Sequence, residues 1–452
     1  MDSSRTRMME ADVVVTGAGP AGIAAAIAAG RQGASVILIE RYGFVGGMST
    51  AAGVYPWMTF HTQRGERVIG GIAQEIVERL MERGGSPGHL RDTVGFVHTL
   101  TPYHPEIYRV LAVDMLREAG VKLVSHSFVD EVQREGEYIR SVTLTGKSGR
   151  IKVNGAMFVD ASGDADVAYL AGAPTLQGRE GDGLSQPMTM KFRMRGVDVE
   201  AIRKAMLADP ENFYHKTPFA ELEMGSIPLT GVSGFYKEWK AAGVPINRDQ
   251  VLFFIGPEKD EVLINCTRVQ GLSATDVEEL TLAEEEGRKQ VLMMAEFLKS
   301  RVPGFAEASI SSVAPQIGIR ESRRIDGLYR LTMENVVAGR QFEDGIAKSG
   351  YPVDLHDPSG KGVMAATIEN DGSYSIPYRC LVARGPVNLL AAGRCISTTH
   401  EALATTRLTP SCMATGEAAG TAAALACKAG ITAAEVEVSL LREQLQAQGA
   451  MV

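Results

Sequence analysis

Cysteine is scarce in this sequence: five cysteines occur among 452 residues, and none belongs to a C-x-x-C pair. They are Cys266, Cys380, Cys395, Cys412 and Cys427. Because the number is odd and the spacing is wide, the sequence indicates neither a disulfide framework nor a zinc or iron–sulfur site. We therefore expect no metal, and any electrons that the protein moves need another carrier.

The sequence also lacks an excess of positive charge and a long apolar run. Its 46 basic and 54 acidic residues give a net charge of −8, which argues against nucleic acid or an anionic membrane as a partner. Apart from one alanine-rich segment there is no uncharged apolar stretch of about 18 residues, and residues 1–10 contain no apolar signal core. The sequence predicts a cytoplasmic protein.

Glycine, in contrast, is abundant. It supplies 49 of the 452 residues, above the usual ~7%, as expected of a protein that presses its backbone against a ligand. Hydrophobic residues make up 45% of the chain, which allows two or three globular domains with a large core.

A glycine motif near the start organises the chain. The apolar run 13–16 ends in Gly17-Ala18-Gly19-Pro20-Ala21-Gly22, which has the G-x-G-x-x-G spacing and predicts that a strand stops and a helix begins. Gly17 allows the tight turn, Gly19 lets the backbone approach a pyrophosphate, and Gly22 lets the helix pack closely on the strand. The helix N-terminus then attracts phosphates without a lysine.

An acid follows at the distance that a dinucleotide-binding unit requires. Residues 34–39 form a second buried strand that ends in Glu40, 18 residues after Gly22, where a ribose-binding carboxylate is expected. Its charge would repel a 2′-phosphate and argues against NADP. A glycine-rich turn can be purely structural, but the agreement of these signals favours a dinucleotide site.

Residues 41–53 form a second glycine-rich loop, where a plain NAD-binding domain would enter its next helix. Here the sequence resembles the FAD-dependent oxidoreductases of the glutathione-reductase-like Rossmann type, and more narrowly the branch of the fumarate reductase and succinate dehydrogenase flavoproteins. The resemblance implies that this loop runs alongside the flavin. Met48 stands where some members carry a histidine bonded to the flavin, so we expect FAD to be held without a covalent bond.

Two later segments resemble further parts of the same FAD site. Residues 156–166 read as a buried strand that closes in an Ala161-Ser162-Gly163 turn, with serine in place of the family's threonine, although an ordinary turn has the same composition. Gly393 is followed by Arg394, where many relatives carry an aspartate that binds the ribityl chain. This departure puts that contact in doubt, although an arginine there could reach the phosphates.

The last element is an alanine-rich helix that starts near residue 409, with Thr409 as N-cap and Pro410 at the first helical position. In the family this helix points its N-terminus at the N1 and O2 edge of the flavin, where its dipole stabilises negative charge by roughly 0.3–2 kcal/mol. The predicted cofactor-binding residues are Gly17, Gly19, Pro20, Ala21, Gly22, Glu40, Arg41, Gly46, Gly47, Met48, Ser49, Thr50, Ala161, Ser162, Gly163, Gly393, Arg394, Ser411, Cys412 and Met413.

The predicted fold class is α/β: a Rossmann-type FAD-binding domain with a parallel central sheet, plus a second α+β substrate or cap domain. We assign residues 1–175 to the first part of the FAD-binding domain, with a helical and loop insertion at 54–105. Residues 176–375 form the cap domain, and residues 376–452 return to the FAD-binding domain.

Charged residues crowd together inside the predicted cap domain, in Arg320-Glu321-Ser322-Arg323-Arg324. On a strand, Arg320, Ser322 and Arg324 would share one face, and Glu321 and Arg323 the other. One reading is a solvated, paired edge strand. The other, favoured by resemblance to similar flavoproteins, is that Arg320 or Arg323 holds an anionic substrate group by bidentate hydrogen bonds.

The candidate proton-transfer residues lie near the end of the chain. The first is His400, whose loop follows the Gly393 turn, although a structural histidine is equally compatible. Tyr351 and Glu321 follow it, with Arg320 beside them. Residues 342–357 read as a loop in which Tyr351 and His356 either move protons or are only hydrogen-bonded. For binding an anion we select Arg320, Arg323, Arg407 and His356.

The expected activity is hydride transfer between flavin N5 and a carbon of a small, anionic organic substrate, coupled to proton transfer by a side chain. No second G-x-G-x-x-G follows a strand, so a dedicated NAD(P)H domain is not indicated. Two alternatives stay open: a flavin reductase or monooxygenase that uses diffusible NAD(P)H, and an electron-transfer flavoprotein subunit. A homo-oligomer and a protein electron donor or acceptor are also left open.

Overall fold

The computed structural model describes residues 7–360 and 362–452. Most of the segment 1–10, in which the sequence shows no signal core, therefore lies outside the described residues. The strands are β1 Arg7–Thr16, β2 Val36–Ile39, β3 Leu90–Arg91, β4 Thr99–Leu100, β5 Lys122–Val124, β6 Phe128–Glu135, β7 Tyr138–Gly146, β8 Gly149–Asp160, β9 Thr175–Leu176, β10 Phe192–Arg195, β11 Gly231–Gly234, β12 Val251–Ile255, β13 Glu261–Ile264, β14 Ser309–Val313, β15 Arg324–Ile325, β16 Gly345–Ser349, β17 Val353–His356, β18 Val363–Ala366, β19 Tyr374–Pro377 and β20 Leu389–Ala391. The α-helices are α1 Pro20–Arg31, α2 Met48–Ala51, α3 Gly71–Glu82, α4 Pro105–Glu118, α5 Asp166–Leu170, α6 Val199–Ala208, α7 Phe219–Glu223, α8 Tyr236–Ala242, α9 Val277–Arg301, α10 Met333–Val337, α11 His400–Thr406, α12 Thr409–Ala429 and α13 Val438–Ala447.

The main sheet has seven strands in the order β5-β2-β1-β8-β7-β6, with β20 paired to the far end of β8. The pairs β1–β2, β2–β5, β1–β8 and β8–β20 are parallel, whereas β6, β7 and β8 form an antiparallel meander. Strand β20 belongs to the last segment of the chain. Because it completes a sheet begun by residues 7–16, the chain returns to this sheet after a long excursion.

Helices α1 and α12 pack against each other backbone to backbone. A Cβ at Gly416 would lie 2.1 Å from the Ala21 carbonyl oxygen, and one at Gly420 would lie 2.0 Å from the Ala25 carbonyl oxygen. The alanine-rich sequences of both helices therefore serve close approach, as small residues allow. Because Ala21 meets Gly416 and Ala25 meets Gly420, the two helices run in the same direction.

A second, antiparallel sheet has the order β11-β12-β13-β10-β14. Helix α9 packs on it, and together they bury a separate core rich in methionine and phenylalanine, including Met190, Phe192 and Phe253. A largely parallel sheet combined with this α+β unit confirms the predicted fold class. The limits at residues 175 and 375 stay a prediction.

Three local predictions are wrong. The sequence predicts a strand at 150–154 that is separate from the buried strand beginning at 156. The two form one strand, β8, because β1 pairs with both halves and Gly155 pairs with Ala11 between them. The sequence also predicts a strand at 378–382, but residues 378–380 form a 3₁₀ turn. Thr409 is the first helical residue of α12, and the N-cap is Leu408, which offers no side-chain cap.

Two further segments differ from the sequence-based expectation. The charged run at 320–324 is irregular up to β15, and Glu321 is hydrogen-bonded to Arg324, which strand alternation would have placed on the opposite face. Within the expected loop 342–357, residues 345–349 and 353–356 are strands β16 and β17. β17 pairs with β18 to form a hairpin.

Glu417 on α12 is a carboxyl group buried in the core. It is 1% exposed, and its Oε2 accepts the Ile72 backbone N–H at 3.0 Å. Burial raises the pKa of Glu417 to about 8. Since an unfolded Glu has a lower pKa, this group stabilises the fold at low pH, and that stability is lost as pH rises from about 4.3 to 8.

We therefore expect Glu417→Gln to raise the melting temperature at pH 8 and to leave it nearly unchanged at pH 5. Glutamine keeps an acceptor for the Ile72 N–H but cannot ionise. The measurement is melting temperature against pH for both proteins, with the exposed Glu278→Gln on α9 as control. If the melting temperatures of wild type and Glu417→Gln changed with pH in the same way, Glu417 would not be neutral in the folded protein.

In the described part of the chain, no helix combines the length and the apolar character that crossing a bilayer needs. Among the same residues, no group of three or more histidine, cysteine or acidic side chains is placed to hold a metal ion. The five cysteines are all free thiols.

Candidate active site

A cavity of about 600 Å³ is lined by residues of both sheets and of the segments between them. One part, the glycine end, is lined by Gly17, Gly19, Glu40, Gly163 and Gly393. The other part, the cationic end, is lined by Lys191, Arg248, Arg268, Arg320 and Arg407. The two parts are continuous, so a ligand in one end can meet a ligand in the other.

The glycine end is built by backbone packed on backbone. Gly17 has φ +93°, and a Cβ there would lie 2.5 Å from the Ala161 carbonyl oxygen. A Cβ on Gly22 would lie 1.7 Å from the Gly17 carbonyl oxygen. Gly19 differs from both, because its nearest neighbour is the Gly47 Cα at 3.7 Å, and its surface faces the cavity.

Two helix N-termini border this end. The N-caps of α1 and α12 are Gly19 and Leu408, and neither provides a side-chain hydrogen bond to the first turn. The first backbone N–H groups of a helix have no partner within the helix. Both helices therefore offer N–H groups and a positive dipole end to an anionic ligand.

Glu40 is fixed at the carboxyl end of β2. It is 4% exposed, its Oε2 accepts the Ala18 N–H at 2.8 Å, and its Oε1 accepts the Tyr42 N–H at 2.9 Å. Burial raises the pKa of Glu40, while these hydrogen bonds oppose the rise. Each oxygen keeps a lone pair, so the side chain can still accept hydroxyl groups from a ligand.

The two arginines at this end differ. Arg394 donates to Asp164 Oδ1 at 2.8 Å and to Ser322 Oγ at 2.9 Å, so its guanidinium is held across the turn after β8. Arg41 donates only to Gln316 Oε1, at 3.2 Å, and has no carboxylate within ion-pair distance among the described residues. Of the two, Arg41 is therefore better able to pair with a phosphate, because Asp164 already neutralises Arg394.

Most of the predicted cofactor residues line the cavity: Gly17, Gly19, Pro20, Ala21, Glu40, Arg41, Gly47, Met48, Ala161, Ser162, Gly163, Gly393, Arg394 and Cys412. The remaining six lie behind the lining: Gly22, Gly46, Ser49, Thr50, Ser411 and Met413. Two of these support the loop, since Ser49 Oγ accepts from Trp57 Nε1 at 3.1 Å and Thr50 Oγ1 donates to the Val45 carbonyl at 2.8 Å.

The cationic end is not balanced by ion pairs. Among the described residues, none of its five basic side chains has a carboxylate within 4.0 Å, whereas the neighbouring Arg193 pairs with Glu261 at 3.4 Å. Arg320 donates to two neutral oxygens, the Pro187 carbonyl at 2.6 Å and Thr189 Oγ1 at 2.5 Å. A buried charge needs a partner, so this end is suited to an anion.

Tyr351, Asp354 and His356 converge at the same end. Tyr351 OH donates to Asp354 Oδ2 at 3.1 Å, and His356 Nε2 lies 3.5 Å from the same oxygen. Burial raises the pKa of Asp354, but His356 and the nearby arginines outweigh it, and the net pKa lies below the usual range. Burial and Arg320 lower the pKa of His356 to about 3. At neutral pH Asp354 is therefore ionised and His356 is neutral.

His400 and Glu321 lie outside the lining. They form a buried cluster in which His400 Nδ1 is 2.7 Å from Glu321 Oε2, and Glu321 also accepts the Gln186 N–H at 2.9 Å and pairs with Arg324. His400 and Arg324 outweigh the effect of burial and lower the pKa of Glu321. The cluster joins α11 to two distant segments of chain.

The other predicted substrate residues divide between the cavity and its surroundings. Arg320, Arg407, Tyr351 and His356 line the cavity. Arg323 does not: it pairs with Asp166, donates to the Asp164 carbonyl at 2.9 Å and lies over the Tyr169 ring.

Sequence reasoning missed Lys191, Arg248, Arg268 and Asp354. For Lys191 a signal exists, because apolar and polar residues alternate strictly from 188 to 194. Such alternation places the lysine on the polar face of a strand. For Arg248 and Arg268 the neighbouring sequence carries no comparable pattern.

Comparisons with known proteins agree with the fold. The family model described as FAD dependent oxidoreductase matches residues 12–445. A search of curated proteins finds no match. Among solved structures, p-nitrophenol 4-monooxygenase from Pseudomonas putida is 11% identical, with a TM-score of 0.50 and coverage of 97% of this chain and 84% of that one.

Two further solved structures are also similar. A geranylgeranyl bacteriochlorophyll reductase-like protein from Thermoplasma acidophilum is 11% identical, with a TM-score of 0.48 and coverage of 97% and 83%. A flavoprotein/dehydrogenase from Cytophaga hutchinsonii is 12% identical, with a TM-score of 0.45 and coverage of 97% and 83%.

Proposed function

The chain belongs to the FAD dependent oxidoreductases, and from that premise we propose that it transfers a hydride between FAD and a carbon of a small anionic organic molecule. One observation carries the proposal: the glycine end, which suits a dinucleotide, is continuous with a cationic end whose five basic side chains have no carboxylate partner among the described residues. An anion held there would lie beside the cofactor. Membership of the fumarate reductase branch stays a prediction.

The residues present fit FAD. A Cβ at Gly17, Gly22 or Gly47 would collide with backbone, so the turn presents main chain instead of side chains to its ligand. Glu40 would accept hydrogen bonds from the ribose hydroxyls, and the α1 N-terminus with Arg41 would hold the pyrophosphate. The α12 N-terminus would stabilise negative charge on the flavin. When bound, FAD supplies the two-electron acceptor of the reaction.

We propose that FAD is held without a covalent bond. Met48 lines the cavity, and a thioether is a poor group for attachment to a flavin. Cys412 also lines the cavity, but burial raises the pKa of its thiol to about 12, and the thiol form is a weak nucleophile.

At the cationic end Arg320 and Arg407 would bind the anionic group of the substrate. Arg320 is already oriented by the Pro187 carbonyl and Thr189, so it loses little side-chain freedom when it binds. Arg407 makes no side-chain hydrogen bond among the described residues and has a buried Nε without a partner. The substrate would supply that partner.

The test begins with a visible spectrum of the purified protein, before and after acid precipitation, followed by anaerobic mixing with carboxylates, their neutral amides, NADH and NADPH. We expect acid to release the flavin. We also expect at least one carboxylate to bleach it at least about 30-fold faster than its amide, since loss of a buried charge pair costs roughly 2–5 kcal/mol.

Each other outcome identifies an alternative. Rapid bleaching by NADH or NADPH, with no preference for carboxylates, would indicate a flavin reductase or monooxygenase. Bleaching only by a reduced protein would indicate an electron-transfer subunit. A colourless protein that cannot be reconstituted with FAD would contradict the proposal as a whole.

A further inference from the structure

Lys191 lies on the cavity face of an extended segment that leads into β10. Residues alternate along such a segment. Met190 and Phe192 are buried in the core under α9, whereas Thr189 and Lys191 line the cavity. The Lys191 side chain starts beside the loop 41–53 that is predicted to line the flavin. Its Cβ would lie 4.0 Å from a Cβ added to Gly53 at the end of that loop.

The amine of Lys191 has no partner among the described residues. The side chain is buried and forms no hydrogen bond or ion pair with any described residue. The charges that act on it are those of Arg320 on the segment before β15, Arg407 at the end of α11 and Arg193 in β10. Glu261 pairs with Arg193. Arg320 and Arg407 lie within the influence of the Asp354 carboxylate, but neither forms an ion pair with a described residue.

This environment favours the neutral amine. Burial, followed by the charges of Arg320, Arg407 and Arg193, lowers the pKa of Lys191 to about 7. At pH 8 the amine is therefore neutral in most molecules, and its lone pair can accept a proton. Lysines made neutral in this way act as bases in enzymes.

Three other titratable groups of the cationic end, Tyr351, Asp354 and His356, are engaged with one another or with an arginine. Asp354 accepts from Tyr351 and lies beside His356 Nε2, and its lowered pKa makes it a weak base. His356 Nδ1 faces an Arg268 guanidinium nitrogen at 3.5 Å. Burial and Asp354 raise the pKa of Tyr351, so its hydroxyl stays protonated.

We propose that Lys191 is the catalytic base of this site and that its substrate is a hydroxy carboxylate. The hydroxyl O–H bond breaks and its proton forms a new N–H bond on Nζ, while the adjacent C–H bond gives its hydrogen and electron pair to FAD and the carbon becomes a carbonyl carbon. The substrate is oxidised by two electrons and FAD is reduced by two. The proton leaves Nζ for solvent after the product departs.

The hydroxyl is favoured over an amino group by charge. Four arginines line this end, against the carboxylates Asp92, Asp249 and Asp354 of the same cavity, and this excess of positive charge disfavours an ammonium group. A hydroxyl is neutral until it gives up its proton. A base whose pKa is near 7 is also suited to removing a hydroxyl proton, because that proton leaves in the same step as the C–H bond breaks. The inference rests on the proposed function, because it needs an anionic substrate oxidised by FAD.

The test compares wild type with Lys191→Arg, which keeps the charge but cannot lose its proton, and with Lys191→Met, which removes both. Exposed Lys240→Met on α8 is the control. Malonate is the probe, and its binding to the FAD-loaded proteins is followed by the flavin spectrum between pH 6 and 9. Glycolate, lactate and malate, with alanine and propionate for comparison, are then mixed anaerobically with each protein.

For wild type we expect malonate binding to weaken about tenfold from pH 6 to 9, as the Lys191 charge is lost. Lys191→Arg should bind malonate with no such pH dependence, and Lys191→Met should bind it weakly throughout. A hydroxy acid should reduce wild-type FAD, and both Lys191 variants should do so 10²- to 10⁴-fold more slowly. The Lys240→Met control should match wild type in both measurements.

Two kinds of failure are distinguishable. If wild type neither binds malonate nor is reduced by any carboxylate, the proposed function fails. The inference alone fails if malonate binds but the same pH dependence persists in Lys191→Arg, if Lys191→Arg is reduced as fast as wild type, or if alanine or propionate reduces FAD and no hydroxy acid does.

Discussion

Gly22→Ala is expected to yield a protein that retains no FAD and is largely insoluble or unfolded. The added methyl group would lie 1.7 Å from the Gly17 carbonyl oxygen, and no flexible side chain can move aside because the contact is with backbone. Overpacking in a core costs about 1–3 kcal/mol when neighbours can shift, and occasionally more. Here the turn between β1 and α1 must move instead. Soluble yield, melting temperature and bound flavin per mole of protein measure the effect.

Gly19→Ala is the matched variant in the same motif. Gly19 has φ −74°, which any residue adopts, and its added methyl group would meet only the Gly47 Cα, at 3.7 Å. We expect it to fold with the melting temperature of the wild-type apoprotein but to bind FAD at least about tenfold more weakly, because the methyl group lies where a pyrophosphate approaches. Apoproteins are compared because bound ligand itself raises the melting temperature.

The two variants separate folding from cofactor contact. A Gly22→Ala protein with wild-type yield and flavin content would contradict the close packing of the turn. A Gly19→Ala protein with wild-type FAD affinity would show that the cofactor does not approach the backbone at this position. Both results can be read without knowing the substrate.

The first βαβ unit was predictable because its signals are local. Residues 13–22 and 34–40 carry a strand, a glycine turn, a helix and an acid within 30 residues, and the structure places Glu40 beside Ala18 in that turn. Prediction failed where distant partners decide the conformation. β8 is continuous because β1 runs along all of it, and the run at 320–324 is irregular because its side chains bond to residues around 164, 187 and 398.

The same reason explains the cationic end. Lys191, Arg248, Arg268, Arg320 and Arg407 come from separate parts of the chain, so no spacing in the sequence links them. Arg320 and Arg407 were selected from their neighbourhood and from resemblance. Lys191 was missed, although its alternating segment placed it on a polar face, because alternation does not say what that face meets. That these five side chains lack ion-pair partners among the described residues depends on side-chain positions, which the sequence does not give.

Arg407→Met is expected to raise KM for a carboxylate substrate by roughly 30- to 5,000-fold, which corresponds to the 2–5 kcal/mol lost when one member of a buried charge pair is removed. Arg407 is the cleanest cation to remove, since it makes no side-chain hydrogen bond with the described residues. Removing Arg320 would also leave the Pro187 carbonyl and Thr189 without their donor. We therefore expect Arg407→Met to keep the wild-type melting temperature and flavin content.

The substrate provides a second control, because the neutral amide of the same compound cannot use the charge of Arg407. The KM for the amide should change little in Arg407→Met, so the effect on the carboxylate is a coupling between one side chain and one charge. Arg379→Met removes an exposed arginine that pairs with Asp344 at 2.8 Å, and it should change neither KM. If KM rose equally for the carboxylate and the amide in Arg407→Met, the guanidinium would shape the cavity without binding the anion. Binding of an anionic substrate would then depend on the remaining cations.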